Sequence, residues 1–380
     1  LCCGRSLVGV RRFLCSVLRR LGATSQTDHR GAEYGGYREG FTGKHLILLL
    51  SWNFGDHVNT ASAGPLGEKH YPGAMRFFDH DTVMDTLTPA EAVDAIREAL
   101  KSGVDPAADA ARTKVPLPHG EMHLLPAAFG NWAGVKVLGL QPPGSQLPVP
   151  LVQGSYLLLE GQTLTPHSLL DGTALTTLRT PAVAVAAVRD VLTASSDPLD
   201  VAVLGAGAQG IGHAQTVVDV LDGVRDVRVT FISRTQREGL PGGWTEAGSG
   251  KAAELVARAG LVITATTSPT PILEATDLRE DAVVLAVGSH TTDARELAAD
   301  VLDGAQVIVE DVSAALREAG DVVLAIADGA LEESDLIPMA DLVTGRVTLN
   351  QGKRIVCKTV GMPWEDLAVA AAVVERAGSR

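Results

Sequence analysis

The chain has 380 residues, 46% of them apolar and 20% charged, which is the make-up of a globular protein long enough for two ordinary domains and an extra segment. A formal net charge of −13 excludes a nucleic-acid partner, which needs a basic face, but leaves room for a small anionic ligand held by a few local cations. No apolar run approaches the roughly 18–20 residues of a spanning helix, so no membrane partner is expected. Of the four cysteines, Cys2, Cys3 and Cys15 crowd the first positions and Cys357 stands alone, so no disulfide framework is expected and a reducing, cytoplasmic setting is.

Residues 5–21 carry Arg5, Arg11, Arg12, Arg19 and Arg20 between apolar residues at helical spacing, with no acid before Asp28. Such a basic amphipathic start reads either as a transit or membrane-surface segment or as an extension outside the fold. Residues 22–74 hold no sustained period, and the reading adopted is an extension over 1–74 with the domain starting at Met75. Thr88-Pro89-Ala90-Glu91 is a capping box with Pro at the first helical position, and it opens a helix with Val93, Ile96 and Leu100 on one face. From about residue 112 short apolar runs separated by Gly and Pro predict a mostly antiparallel sheet, followed by an Ala- and Leu-rich helix over 173–193. Between about 195 and 335 strands alternate with helices, which requires a parallel, doubly wound sheet. The tail after Gly345 resembles neither pattern and is expected to return to the first domain. That gives a substrate-binding domain over 75–194 and 336–380, with 195–335 inserted in it.

The inserted block opens on Val201 to Leu204 followed at once by Gly205-Ala206-Gly207-Ala208-Gln209-Gly210. A glycine triplet alone is a weak signal; its place between an apolar strand and a helix strengthens it. Gly205 permits the tight turn, Gly207 lets backbone N–H groups approach a pyrophosphate, and Gly210 lets helix and strand pack closely. The helix N-terminus adds partial positive charge, so a dinucleotide is expected here. An acid at the end of the second strand would select NAD, whereas this chain has Ser233 followed by Arg234, which favours NADP(H). Thr264 to Ser268 with Thr266 among them, Gly288 to His290, and Glu310 with Asp311 fall at the carboxyl ends of predicted strands, where ligands bind in open parallel sheets. His119 and His123 are four apart but sit among Pro118 and Gly120, which argues against a helical metal motif, and no metal site is expected.

The first domain offers Arg112, Lys136 and Arg179 in otherwise apolar settings. On pattern alone, Lys136 in its strand of Val and Leu either snorkels to water or faces a pocket.

The segments Gly134 to Val137, Leu170 to Thr180, the glycine loop, Gly288 to Leu297 and Lys358 to Leu367 resemble, in order, the ornithine cyclodeaminase/mu-crystallin family over about residues 75–378. The resemblance implies an α/β chain in which an NAD(P)-binding Rossmann domain is inserted in a mixed α+β substrate-binding and dimerisation domain. It further implies a homodimer, a small amino or imino acid as ligand, and Arg112, Lys136 and Arg179 around its carboxylate. Guanidinium groups suit bidentate carboxylate binding, and the Lys136 ammonium suits a point charge or proton donor. Cyclodeaminases of the family carry an Asp two residues after the strand-end glycine; here that position is His290, a candidate proton donor or acceptor. The departure favours a ketimine reductase or amino-acid dehydrogenase. Ornithine cyclodeaminase and a non-catalytic NADP(H)-binding protein of the mu-crystallin type are the alternatives.

Overall fold

Residues 75–142 and 144–378 are described by the computed structural model; the basic segment at 5–21 and the rest of the expected extension lie outside the described residues. The helix opened by the capping box forms as its sequence predicts. Glu91 N donates to Thr88 Oγ1 and Thr88 N donates to Glu91 Oε2, so two of the orphan N–H groups of the first turn are satisfied.

The first sheet has the order β1-β6-β5-β4-β3-β2. Its strands are β1 (Arg76–Phe78), β2 (Thr113–Leu117), β3 (Gly120–Phe129), β4 (Trp132–Leu140), β5 (Val152–Glu160) and β6 (Pro166–Asp171). All pairs are antiparallel except β1 with β6. One register row, Phe78-Leu170-Tyr156-Lys136-Leu125, is buried throughout. The row one residue along, Phe77-Leu169-Leu157-Val135-Pro126, is half-buried or exposed although it is wholly apolar. Strand side chains alternate between faces, so the sheet has one packed and one open face. Helices α1 (His80–Thr86), α2 (Pro89–Lys101) and α3 (Gly172–Leu192) belong to the packed side.

The second sheet is parallel throughout and has the order β13-β12-β14-β11-β10-β7-β8-β9. Its strands are β7 (Leu199–Leu204), β8 (Val227–Ser233), β9 (Gly243–Glu246), β10 (Leu261–Thr264), β11 (Val283–Ala286), β12 (Gln306–Val309), β13 (Leu336–Pro338) and β14 (Ile355–Lys358). Interleaved are α4 (Ala208–Leu221), α5 (Gly250–Arg258), α6 (Ala299–Leu302), α7 (Val312–Glu318), α8 (Gly320–Ala327) and α9 (Met339–Val343). The order reverses on either side of β7, the topological switch point at which such sheets bind ligands. The two sheets meet across α3 and α4, where an added Cβ on Gly212 would stand 3.3 Å from Pro181 Cγ.

The tail departs from expectation. Strand β14 does not return to the first sheet but slots between β11 and β12. Its residues Ile355, Val356, Cys357 and Lys358 are all buried, and only a sheet covered on both faces offers that environment. Helix α10 (Pro363–Gly378) then crosses back to the packed face of the first sheet and carries Glu365 and Asp366 there. Among the described residues no helix is long and apolar enough to cross a membrane.

Candidate active site

The glycine loop leaves β7 at its carboxyl end. Gly205 has φ +114°, a conformation that favours glycine, and a Cβ on it would stand 2.4 Å from the Ala265 carbonyl oxygen. A Cβ on Gly210 would stand 2.0 Å from the Gly205 oxygen and 3.1 Å from Val203 Cγ1, so the helix rests directly on the loop and strand. Gly207 is different, because a Cβ there would meet nothing within 4 Å. It is the N-cap of α4, and no side chain caps that terminus. The N–H groups of Ala208 and Gln209 therefore begin a helix whose positive end has no side-chain cap among the described residues, where the Gln209 Oε1 atom is also buried without a partner. This cradle fits a phosphate-bearing dinucleotide. Gly205 N donates to Ile232 O, which ties the loop to the end of β8. There the Ser233 hydroxyl donates to Thr235 O at 2.9 Å and accepts from Trp244 Nε1 at 3.0 Å. Arg234 beside it is exposed and, among the described residues, makes no ion pair.

Thr266 and Gly288 are brought together by a residue that the sequence reading did not single out. Glu296, fully buried, accepts from Thr264 Oγ1, from Thr266 N and Oγ1, and from Gly288 N, all within 2.6–2.9 Å. A Cβ on Gly288 would stand 2.0 Å from the Thr266 oxygen, so the two strand ends touch.

The three cations of the first domain converge on the segment after β14 and the first turn of α10. Lys136 neither snorkels to water nor stands open. It is fully buried on β4, with Nζ 2.8 Å from Asp366 Oδ1 and 2.6 Å from Oδ2. Burial, then the charge of Arg179, lowers its pKa to about 8. Arg179, on α3, donates from Nε to Asp366 at 3.1 Å and from Nη1 to Glu365 at 3.0 Å. Its guanidinium lies against Gly361, where a Cβ would come 2.6 Å from Nη1. Arg112 pairs with Glu318 at 2.9 Å and donates to the Val360 and Gly361 carbonyls at 3.1 and 3.0 Å. The N–H groups of those same two residues donate to Glu310, at the end of β12, at 2.8 Å each.

Glu365 lies beside Glu310, and both carboxyl groups are buried. Burial first, then the Glu310 charge, holds the Glu365 pKa well above the usual carboxylate range. Tyr156, next to Lys136 in the register, presses its ring against Gly134 where a Cβ would clash at 2.5 Å, and burial raises its phenol pKa. His290 is exposed; partial loss of hydration, followed by the charges of Arg112, Lys358 and Lys114, lowers its pKa.

Glu365 and Asp366 escaped the sequence reading, whereas Glu310 was expected at a strand end but not as the acceptor of the Val360 and Gly361 N–H groups. The adjacent pair at the start of α10 looks in sequence like ordinary acids favouring a helix N-terminus. A signal was nonetheless present, since they are the sole acids between Pro363 and Val374 in an otherwise apolar helix. A separate cavity of about 530 Å³, lined by Val104, Asp109, Pro126, Phe129 and Trp364 among others, contains none of the expected residues. Asp109 there accepts from Trp364 N at 2.7 Å, and burial raises its pKa to about 7.

A family model described as the ornithine cyclodeaminase/mu-crystallin family matches residues 76–380. The chain is 27% identical over 299 residues to a Delta(1)-pyrroline-2-carboxylate reductase 2 from Burkholderia ambifaria, covering 76% of this chain and 89% of the relative. It is 29% identical over 315 residues to the ketimine reductase mu-crystallin of Rattus norvegicus, covering 80% and 97%. Among solved structures, the Thermococcus litoralis Delta(1)-pyrroline-2-carboxylate reductase in complex with NADH and L-proline superposes with a TM-score of 0.69. At 22% identity, with 80% of this chain and 98% of that one covered, it shares the fold.

Proposed function

The chain belongs to the ornithine cyclodeaminase/mu-crystallin family, and from that premise we propose that it is an NAD(P)-dependent reductase of small, cyclic or acyclic, imino acids. The observation that carries this reading is the convergence of Arg112, Lys136 and Arg179 on the 360–366 segment, at the same carboxyl edge of the parallel sheet where β14 ends. Relatives named as pyrroline-2-carboxylate and ketimine reductases support it.

When bound, NAD(P)H supplies the hydride that reduces the imine carbon. In this reading Gly205, Gly207, Ala208, Gln209 and Gly210 hold its pyrophosphate, Thr266 and Gly288 border it, and Ser233 and Arg234 leave room and charge for a 2′-phosphate. NADP(H) is accordingly the preferred form. Arg112 and Arg179 hold the substrate carboxylate; each has guanidinium N–H groups beyond those given to Glu318, Glu365 and Asp366. Lys136 orients the substrate and donates the proton that the imine nitrogen takes up, and Asp366 fixes the direction of its ammonium. His290 faces the nitrogen from the rim. The substrate part comprises 75–194 and the returning helix α10, and the dinucleotide part comprises the segment from 195 through β14.

A homodimer is part of the proposal. The half-buried to exposed apolar row Phe77-Leu169-Leu157-Val135-Pro126 supports it, because apolar faces of this kind are usually covered. The test is nicotinamide absorbance on mixing the chain with Δ1-pyrroline-2-carboxylate and NADPH or NADH. Oxidation of the coenzyme with proline as product is the expected result. Coenzyme binding with no turnover of any imino acid would instead favour a binding protein.

A further inference from the structure

We propose that Lys114 recognises a second anionic group, so that the preferred substrate is an imino acid bearing a distal carboxylate; this rests on the reductase reading above. Strand register sets the geometry. Lys114 pairs with His123 across β2 and β3, while Leu125, two residues further on, pairs with Lys136. Alternate residues of a strand share a face, so Lys114 stands on the face that carries Lys136.

Three further contacts place that part of the face beside the strand-end loops. Arg112, just upstream of Lys114, donates to the Val360 and Gly361 carbonyls. Lys358, on the strand leading into that segment, donates to the carbonyl of Ser289, the neighbour of His290. The lead-in to β2, the 358–361 segment and the 288–290 loop thus come together, with His290 exposed beside them. In keeping with this, the charges of Arg112, Lys358 and Lys114 all bear on His290.

The cations of this region differ in what engages them. Arg112 faces Glu318, Lys358 faces Asp321 at 3.0 Å, Lys136 faces Asp366, and Arg179 faces Glu365 and Asp366. Lys114 is exposed and, among the described residues, has no ion pair. The acid two residues from His123, Glu121, is engaged by the His123 ring at 2.9 Å. With the two arginines assigned to the α-carboxylate and Lys136 to the imine nitrogen, Lys114 is surplus to a monocarboxylate. An ammonium on a flexible four-carbon stem suits a carboxylate at the end of a short side chain, where position varies and bidentate geometry is not required. The overall negative charge of the chain makes such a local cation the point to which an anionic substrate is drawn.

The experiment compares two substrates on the full chain with NADPH: Δ1-pyrroline-2-carboxylate, and the imine formed from 2-oxoglutarate and ammonium. Wild type is expected to favour the dicarboxylate in kcat/KM. In Lys114→Met the ratio of the two kcat/KM values should fall about tenfold, through KM, and Lys114→Arg should retain most of it. Wild type favouring the monocarboxylate, or an unchanged ratio in Lys114→Met, overturns the inference while leaving the reductase reading intact. Wild type reducing neither substrate overturns both.

Discussion

Lys136 and Asp366 lie 230 positions apart in sequence, yet the ammonium of one stands within 2.8 Å of both carboxylate oxygens of the other, with both side chains out of contact with solvent. Two charges removed from water together are tolerated because each compensates the other and Arg179 adds a further donor. Removing one partner leaves the other exposed to the full cost of burial. Asp366→Ala is therefore expected to lose about 3–5 kcal/mol of stability by urea denaturation. Replacing both, as Lys136→Met with Asp366→Leu, should recover part of that loss, and a double variant no more stable than Asp366→Ala would refute the pairwise account.

The same lysine sets a pH dependence. Its pKa falls from the ordinary 10.5 to about 8, so between those values the unfolded chain holds a proton that the folded chain has released. Stability contributed by this group thus rises with pH across that window. Activity should move in the opposite direction. The ammonium, proposed above as the proton donor, is the majority form below about 8, and reductive kcat/KM should decline above it. A profile flat from pH 7 to 9 (about one unit either side of the pKa) would remove Lys136 from the role of donor.

Two glycines of one loop should behave differently. Gly207 has open space where its Cβ would go and an ordinary negative φ, so Gly207→Ala should keep its melting temperature while weakening coenzyme binding about tenfold in a fluorescence titration. Gly210→Ala meets the Gly205 carbonyl oxygen and should lose about 1–3 kcal/mol of stability. Equal effects of the two on melting would contradict the division of roles.

Coenzyme choice is tested at the end of β8. Arg234 is exposed and free of an ion pair among the described residues, so Arg234→Ala should leave folding unaffected. It should raise KM for NADPH about tenfold with little change for NADH. An equal change for both coenzymes would assign Arg234 no part in discriminating the 2′-phosphate.

The open face of the first sheet supplies a prediction about assembly. Phe77 is 66% exposed at one end of an apolar register row. In sedimentation velocity the chain should run as a dimer, and Phe77→Glu with Leu157→Glu should shift it to monomer. A wild-type chain that sediments as a monomer would leave that face to another partner.

Local chemistry is what sequence alone determined. The capping box at Thr88, the strand–glycine–helix order at Gly205 to Gly210 and the alternation of strands and helices each depend on neighbours a few residues apart, so each was legible in the linear text. The cations Arg112, Lys136 and Arg179 were legible as charges in apolar settings, but not what they face. Tertiary structure decided that, because their partners Glu318, Glu365 and Asp366 arrive from the far end of the chain. It also decided the place of β14, whose four buried residues have the same sequence character in either sheet and find cover on both faces only in the parallel one. Glu296 shows the same limit: a buried carboxylate is stable only among donors, and the Thr264, Thr266 and Gly288 groups that satisfy it are assembled by strand packing rather than by spacing.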